Sequence, residues 1–276
     1  MSGPDFMVIG AEKAGTTWLY RNLKRHTALW LPPEKELHFF DDTPRDQWRR
    51  EKVLSQARER DTGPKILDWF ERFAEIDTSD ISAYTALFEP KAGQKAGDMT
   101  TEYATLDDQT VEKISAAFPE LRIVFVMREP AERLWSAYKM HMKQEKGEVS
   151  LDDTAKFRAY LSRRQPFLRT EYRRTLSIWR KWFGRAQVLE VFHDEIQIAP
   201  ANVLDRVLAH LEVGHDCPHD PDLLSKKVFE GQKAPVPPVF AKLVAERYLP
   251  MLKLLAEEHG APCDGWLERA LASAKA

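Results

Sequence analysis

The sequence is poor in cysteine, in long hydrophobic runs and in excess charge of either sign. Only two of its 276 residues are cysteines, Cys217 and Cys263, which excludes a framework of several disulfides. The longest apolar strings, such as IVFVM, are far shorter than the ~20 residues that a membrane-spanning helix needs. The residues after Met1 also lack the basic and apolar regions of a secretion signal. We therefore expect a soluble, cytoplasmic protein with no transmembrane segment.

The charge balance bears on possible partners. Lys and Arg total 41 against 43 Asp and Glu, which gives a net charge of -2. A chain this close to neutrality has no overall basic footprint for nucleic acid or an anionic membrane, although a local basic pocket is compatible with it. We expect no nucleic-acid partner.

Short apolar runs alternate with segments of helical periodicity. Phe6–Ile9, Arg122–Met127 and the string AQVLEVF have the composition of buried parallel strands. Helical spacing of apolar residues follows each of them, and Pro130 suits the first turn of one such helix. The pattern predicts an α/β fold in which helices flank a central parallel sheet. Without a convincing linker or repeat, we expect a single domain over residues 1–276.

A glycine loop follows the first predicted strand. Gly10 and Gly15 have the spacing of a Walker phosphate-binding loop, but Lys13 lies inside the loop and Thr16 occupies the usual lysine position. A loop between a buried strand and a helix directs backbone N–H groups at one point, where the helix dipole also favours an anion. Thr16 and Thr17 add hydroxyl donors. The sequence therefore predicts a phosphate site here, although a tight turn with a solvated lysine is the alternative.

Two features argue against an ATP-dependent kinase. Lysine is missing from the position that reaches the β- and γ-phosphates, and the second predicted strand ends in Arg128 instead of an aspartate that would hold Mg²⁺. These features favour a metal-free donor whose charge is neutralised by protein cations. A nucleotide or small-molecule kinase and a non-catalytic nucleotide-binding protein remain as alternative hypotheses.

Four segments in order resemble one enzyme family. KAGTTWLY, KELHFFD, REPAERLWSAY, and EYRRTLSIWRKWF followed by VLEVFHDEI are similar to segments of sulfotransferases that use 3′-phosphoadenosine-5′-phosphosulfate (PAPS). The resemblance is to the heparan-sulfate-type and related bacterial enzymes, and it runs from about Phe6 to about Leu255. It implies a P-loop NTPase-like sulfotransferase fold, PAPS as co-substrate, and no metal.

The resemblance also implies roles for donor-side residues. Lys13 would stabilise the leaving phosphate, Arg128 and Ser136 would bind the 3′-phosphate, and a loop near the C-terminus would cover the nucleotide. From the residues alone, an ion pair of Arg128 with Glu129 or Glu132 and a solvated Ser136 are the alternatives. The full set of expected donor-binding residues is Lys13, Ala14, Gly15, Thr16, Thr17, Trp18, Arg128, Ser136, Gly231, Gln232 and Lys233.

The acceptor needs a general base, and two residues are candidates. The resemblance favours Glu36, whereas His38 has the more suitable unperturbed pKa, near ~6.5. If the segment is extended, the alternation of side chains places both on one side. We expect Glu36 to be the base and His38 its orienting partner, with His38 as the alternative base.

The match to the family breaks at GDMTTEY. Met99 stands where the related enzymes carry a lysine near the transferred group, which weakens an assignment to a polyanionic glycan acceptor. Asp98 and Tyr103 are expected to contact the acceptor, which is a small molecule, a lipid or a carbohydrate. The string GHDCPHD has no second Cys/His pair at zinc spacing, so we expect no metal site there.

Overall fold

A five-stranded, wholly parallel sheet forms the centre of the protein. The computed structural model describes residues 3–60, 62–147, 149, 153–214, 219–225 and 235–275. The strands are β1 (Phe6–Gly10), β2 (Leu29–Trp30), β3 (Lys95–Asp98), β4 (Arg122–Met127) and β5 (Val188–Phe192). Their order across the sheet is β2-β3-β1-β4-β5. The predicted fold class, a parallel sheet flanked by helices, is confirmed.

Helices connect the strands and cover the sheet. In chain order they are α1 (Thr16–Leu23), α2 (Pro44–Glu59), α3 (Pro64–Ala74), α4 (Ile81–Thr85), a 3₁₀ helix (Thr101–Thr105), α5 (Asp108–Ala117), α6 (Pro130–Gln144), α7 (Thr154–Leu161), α8 (Arg164–Leu168), α9 (Tyr172–Phe183), α10 (His193–Ile198), α11 (Pro200–His210), α12 (Pro221–Ser225), α13 (Pro238–His259) and α14 (Cys263–Lys275). Among the described residues, no helix is both long and apolar enough to cross a membrane.

The strands that the sequence predicts are present. β4 spans the predicted residues, β1 adds Gly10 to the predicted run, and β5 lies within AQVLEVF. These three strands are adjacent, and their apolar side chains belong to one continuous core cluster. Pro130 occupies the first turn of α6, as predicted.

The sequence pattern does not reveal β3. Its four residues, KAGD, contain no apolar run, yet three of the four are buried because β3 lies between β1 and β2. Gly97 packs directly beneath an aromatic ring: a Cβ at this position would lie 2.1 Å from Cζ of Phe6, which is itself buried. The absent side chain is what allows the ring to fill this space.

All strands point the same way, so their carboxyl ends meet at one edge. The glycine loop follows β1, the 3₁₀ helix follows β3, and α6 and α10 follow β4 and β5. Ligands of open parallel sheets bind in the crevice at this edge. The fold thus gathers four sequence-distant segments into one region.

Replacing Gly97 by alanine tests this packing. We expect Gly97→Ala to lower the free energy of unfolding by about 1–3 kcal/mol, because the added methyl group overlaps the buried Phe6 ring. Gly265→Ala, where the nearest atom is 3.5 Å away on a flexible arginine, is the control and should be neutral or slightly stabilising. Denaturant unfolding measures both. Equal stability of the two variants would contradict the packing described.

Candidate functional site

The glycine loop between β1 and α1 needs glycine at two positions. Gly10 and Gly15 have φ values of 147° and 104°, in the region that favours glycine. At Gly10 there is also no room for a side chain, since a Cβ would lie 2.9 Å from Ala104 Cβ and 3.0 Å from the carbonyl oxygen of Thr101. The loop is therefore pressed against the segment that follows β3.

The loop ends at a helix start suited to an anion. Gly15 is the N-cap of α1, and its first turn carries no acidic residue. The first N–H groups of an α-helix have no intrahelical acceptor, and the helix dipole makes this end positive. Thr16 is buried and Thr17 half-buried at this end. Ala14, buried within the loop, completes the turn that brings these groups together.

Lys13 and Arg128 meet at this loop. Arg128 Nη1 donates a hydrogen bond to the carbonyl oxygen of Lys13 over 3.2 Å. The Lys13 Nζ lies 3.9 Å from Met140 Sδ on α6. Burial lowers the pKa of Lys13, Glu12 acts in the opposite direction, and the Arg128 charge lowers it further. The Arg128 guanidinium thus lies against the loop backbone, and its charge acts on the Lys13 ammonium.

Arg128 is also engaged by a carboxylate. Its Nε and Nη2 lie 3.2 and 2.9 Å from Glu132 Oε2, one turn into α6. This is the ion pair that the sequence left as the alternative to a phosphate contact. The Glu132 side chain is 46% exposed, so an incoming phosphate can displace it into solvent at little cost.

Ser136 lies on the same side of α6 as these contacts. It follows Glu132, which binds Arg128, by four residues and precedes Met140, which contacts Lys13, by four. Residues four apart lie above one another on a helix. Ser136 therefore lies on the face of α6 whose other residues contact Arg128 and Lys13.

The Glu36–His38 segment lies next to the start of the glycine loop. Thr101 Oγ1 donates a hydrogen bond to Glu36 Oε2 over 3.0 Å, and the carbonyl of Thr101 is the one that approaches Gly10. Glu36 Oε2 lies 3.8 Å from His38 Nε2. The backbone is not extended as expected, since φ is 66° at Glu36 and 51° at His38. Both side chains nevertheless face each other.

The pKa values of the two candidate bases are shifted in opposite directions. Burial would raise the pKa of Glu36, but the ion pair with Lys35 at 2.7 Å and the nearby His38 hold it below its usual value. Burial would lower the pKa of His38, but a 2.8 Å hydrogen bond to Asp41 and the Asp41 charge raise it. Glu36 is thus an ionised proton acceptor, while His38 favours the protonated form.

Comparison with known proteins decides the family. The sequence profile of the Sulfotransferase family matches residues 4–216, most of the chain. The chain belongs to the sulfotransferase family. Its structure is similar to that of a sulfotransferase from Alicyclobacillus acidocaldarius, with a TM-score of 0.67 and 22% identity over 96% of this chain and 99% of that one. A sulfotransferase domain from the curacin biosynthetic pathway matches with a TM-score of 0.54 and 17% identity, over 83% of this chain and 79% of that domain. Comparison with curated protein sequences gave no significant match.

These likenesses confirm the P-loop NTPase-like sulfotransferase fold that the sequence motifs imply. They also place the glycine loop, β4 and β5 inside the part of the chain that carries the family signal. The C-terminal helices α13 and α14 lie beyond the matched residues.

Asp98 and Tyr103 lie beneath the site and not at its surface. Both are fully buried, so neither has surface with which to touch an acceptor, contrary to the expected role. Asp98 Oδ1 accepts a hydrogen bond from Thr100 over 2.7 Å, and Oδ2 accepts from Tyr84 and Tyr103, both over 2.9 Å. Three hydroxyl donors thus surround one buried carboxylate.

The same hydroxyl groups hold the backbone of the Glu36–His38 segment. The N–H of Leu37 donates to Thr100 Oγ1 over 2.9 Å, and the N–H of Phe39 donates to the Tyr103 hydroxyl over 3.2 Å. Leu37 and Phe39 alternate with the two candidate bases along the chain. The hydrogen bonds to their N–H groups therefore fix the directions of the Glu36 and His38 side chains. On the other side of this segment, Arg49 donates hydrogen bonds to the carbonyl oxygens of residues 35 and 36, each over 2.6 Å.

One ion-pair cluster at the site escaped the sequence reasoning. Arg169, next to α8, binds Glu12 of the glycine loop over 2.7 Å and pairs with Glu102 of the 3₁₀ helix. It therefore ties the donor loop to the segment that carries Thr101. Nothing in the sequence places Arg169 opposite two distant glutamates, so this contact could not be predicted.

His193 is a second residue that the sequence did not single out. It begins α10, and its Cδ2 lies 3.2 Å from the point where a Gly15 side chain would start. Burial and, to a smaller extent, Arg128 lower the pKa of His193 to about 4, so this imidazole is neutral beside the loop. Because His193 directly follows β5, the parallel sheet brings it to the same edge as the glycine loop, which follows β1.

The remaining expected donor residues are partly outside the described structure. Trp18 is buried on α1, and its indole N–H donates to the carbonyl oxygen of Leu224 over 3.2 Å, which directs that edge of the ring toward α12. Gly231, Gln232 and Lys233 lie outside the described residues.

The buried Asp98 carboxyl has a measurable signature. Burial raises the pKa of Asp98 to about 6, although its hydroxyl donors pull the other way. Between about pH 4 and pH 6 the folded protein therefore holds a proton that the unfolded chain releases, and stability falls as pH rises through this window. We expect the difference in unfolding free energy between the wild type and Asp98→Asn to fall by on the order of 2 kcal/mol from pH 4 to pH 6.5. Urea unfolding across this range measures it, and a difference independent of pH would contradict the assignment.

Proposed function

We propose that this sulfotransferase moves a sulfuryl group from PAPS to an acceptor hydroxyl without a metal. The observation that carries the proposal is that Arg128 Nη1 donates a 3.2 Å hydrogen bond to the backbone carbonyl of Lys13, which brings the guanidinium to the glycine loop at the start of α1. A nucleotide with phosphate on both the 5′ and 3′ oxygens of its ribose needs two such anion sites at short separation. ATP has no 3′-phosphate and would leave the second site without a ligand.

The glycine loop would bind the 5′-phosphate. The N–H groups at the start of α1 and the hydroxyls of Thr16 and Thr17 supply donors there. As the bond between sulfur and the bridging oxygen breaks, negative charge grows on that oxygen, which leaves with the 5′-phosphate. Lys13, beside this point, would stabilise the growing charge. Arg128 and Ser136 would hold the 3′-phosphate, with Arg128 exchanging Glu132 for it.

Glu36 would act as the general base. The acceptor oxygen forms a bond to sulfur as its proton passes to the ionised carboxylate, and the bisphosphate leaves with the bridging oxygen. The opposite pKa shifts support Glu36 over His38, since they favour the ionised carboxylate and disfavour the neutral imidazole that could take the proton. His38, held by Asp41, would orient Glu36 from 3.8 Å away. Asp98 and Tyr103 support this segment from below in place of the acceptor contact expected from the sequence.

Ligand-dependent stability tests the donor. A ligand that binds only the folded state raises its melting temperature in proportion to ln(1 + [L]/Kd). We expect 3′-phosphoadenosine-5′-phosphate (PAP), the reaction product, to raise it without Mg²⁺, and ATP and AMP to have a much smaller effect at equal concentration. Stabilisation by ATP only with Mg²⁺ would favour a kinase. No response to any nucleotide would favour a protein without nucleotide chemistry.

Removal of the Lys13 ammonium separates catalysis from binding. We expect Lys13→Ala to lower the rate of sulfuryl transfer about 100-fold or more, because the cation acts on charge that develops during the reaction. PAP affinity should fall by less, about tenfold, since the loop N–H groups remain. Transfer of radiolabel from PAPS to a phenol, a neutral sugar and a fatty alcohol measures the rate. Lys24→Ala, an exposed lysine at the other end of α1, is the control. An unchanged rate in Lys13→Ala would dismiss the assignment.

A further inference from the structure

Helix α6 carries one more cation toward the donor site. Two contacts fix which side of α6 faces the site: Glu132 binds Arg128, and Met140 contacts Lys13. Lys139 precedes Met140 by one residue and follows Ser136 by three, so it lies at the border of the same face.

The surroundings of Lys139 agree with that placement. The residue is half-buried, and its Nζ lies 5.4 Å from the ring centroid of Trp135, one turn earlier. Burial lowers the pKa of Lys139, and the charges of Arg128 and then Lys13 lower it further.

We propose that Lys139 completes the 3′-phosphate site with Arg128 and Ser136. This inference rests on the proposed function and adds a residue that neither the sequence motifs nor the family resemblance assigns. The ligand is a phosphate monoester on a ribose 3′-oxygen. Lys139 contributes an ammonium to this phosphate, together with the Arg128 guanidinium and the Ser136 hydroxyl.

Charge complementarity supports this ligand. Three cations, Lys13, Arg128 and Lys139, act on one another there, and Glu132 is the carboxylate that pairs with Arg128. Bringing like charges together in a half-buried space is unfavourable unless an anion joins them. A phosphate monoester carries close to two negative charges at neutral pH and therefore offsets the repulsion.

Calorimetric titration of the full chain with PAP and with AMP tests the assignment. AMP has the 5′-phosphate and lacks the 3′-phosphate, so it reports on the rest of the donor site. The variants are Lys139→Ala, Lys139→Arg, and the control Lys143→Ala, an exposed lysine one turn further along α6. Each variant's melting temperature without ligand shows whether the fold is intact.

We expect Lys139→Ala to weaken PAP binding about tenfold, the effect of one charge-assisted hydrogen bond, while AMP binding stays unchanged. Lys139→Arg should restore most of the affinity, and Lys143→Ala should bind PAP as the wild type does. Unchanged PAP affinity in Lys139→Ala would overturn the role of Lys139 and leave the proposed function intact. Equal weakening of PAP and AMP would overturn the 3′ assignment. Failure of the wild type to bind PAP would instead overturn the proposed function.

Discussion

The site depends on the convergence of positive charge at the carboxyl edge of a parallel sheet. The start of α1 supplies partial positive charge, and Lys13 and Arg128 add full charges on the loops after β1 and β4. The charged form of Lys13 is disfavoured there, because burial and the charge of Arg128 lower its pKa, although Glu12 acts in the opposite direction. The fold tolerates this arrangement because the sheet core and the hydrogen bond between the two residues fix it. Under the proposed function, a multiply charged donor would relieve this repulsion.

A second, buried network organises the segment that carries the two candidate bases. Asp98, at the end of β3, accepts hydrogen bonds from three hydroxyl groups. Two of these hydroxyls also accept hydrogen bonds from the N–H groups of Leu37 and Phe39, the neighbours of Glu36 and His38. The rigid sheet thus fixes the direction of the candidate base through hydroxyl groups and not through regular secondary structure. Arg169 connects this side to the glycine loop. Donor and acceptor sides are therefore joined by side-chain contacts as well as by the sheet.

Much of this was predictable because it rests on local patterns. Continuous apolar runs indicate β1 and β4, and glycine spacing indicates the loop between β1 and α1. By contrast, KAGD looks like a turn, and only pairing with β1 and the Phe6 ring over Gly97 make it a strand. The left-handed backbone at Glu36 and His38 was unpredictable for a similar reason: contacts from residues 49, 100 and 103 impose it. Met99 is buried. At the position where the family resemblance leads us to expect a lysine, this chain therefore has a side chain that packs in the core.

The most direct test of this account is a crystal structure of the full chain with PAP. We predict that one PAP molecule contacts both cations, with the Lys13 ammonium within hydrogen-bond distance of a 5′-phosphate oxygen and the Arg128 guanidinium, released from Glu132, on the 3′-phosphate. A complex in which the nucleotide lies elsewhere, or in which only one of these two residues touches a phosphate, would contradict it.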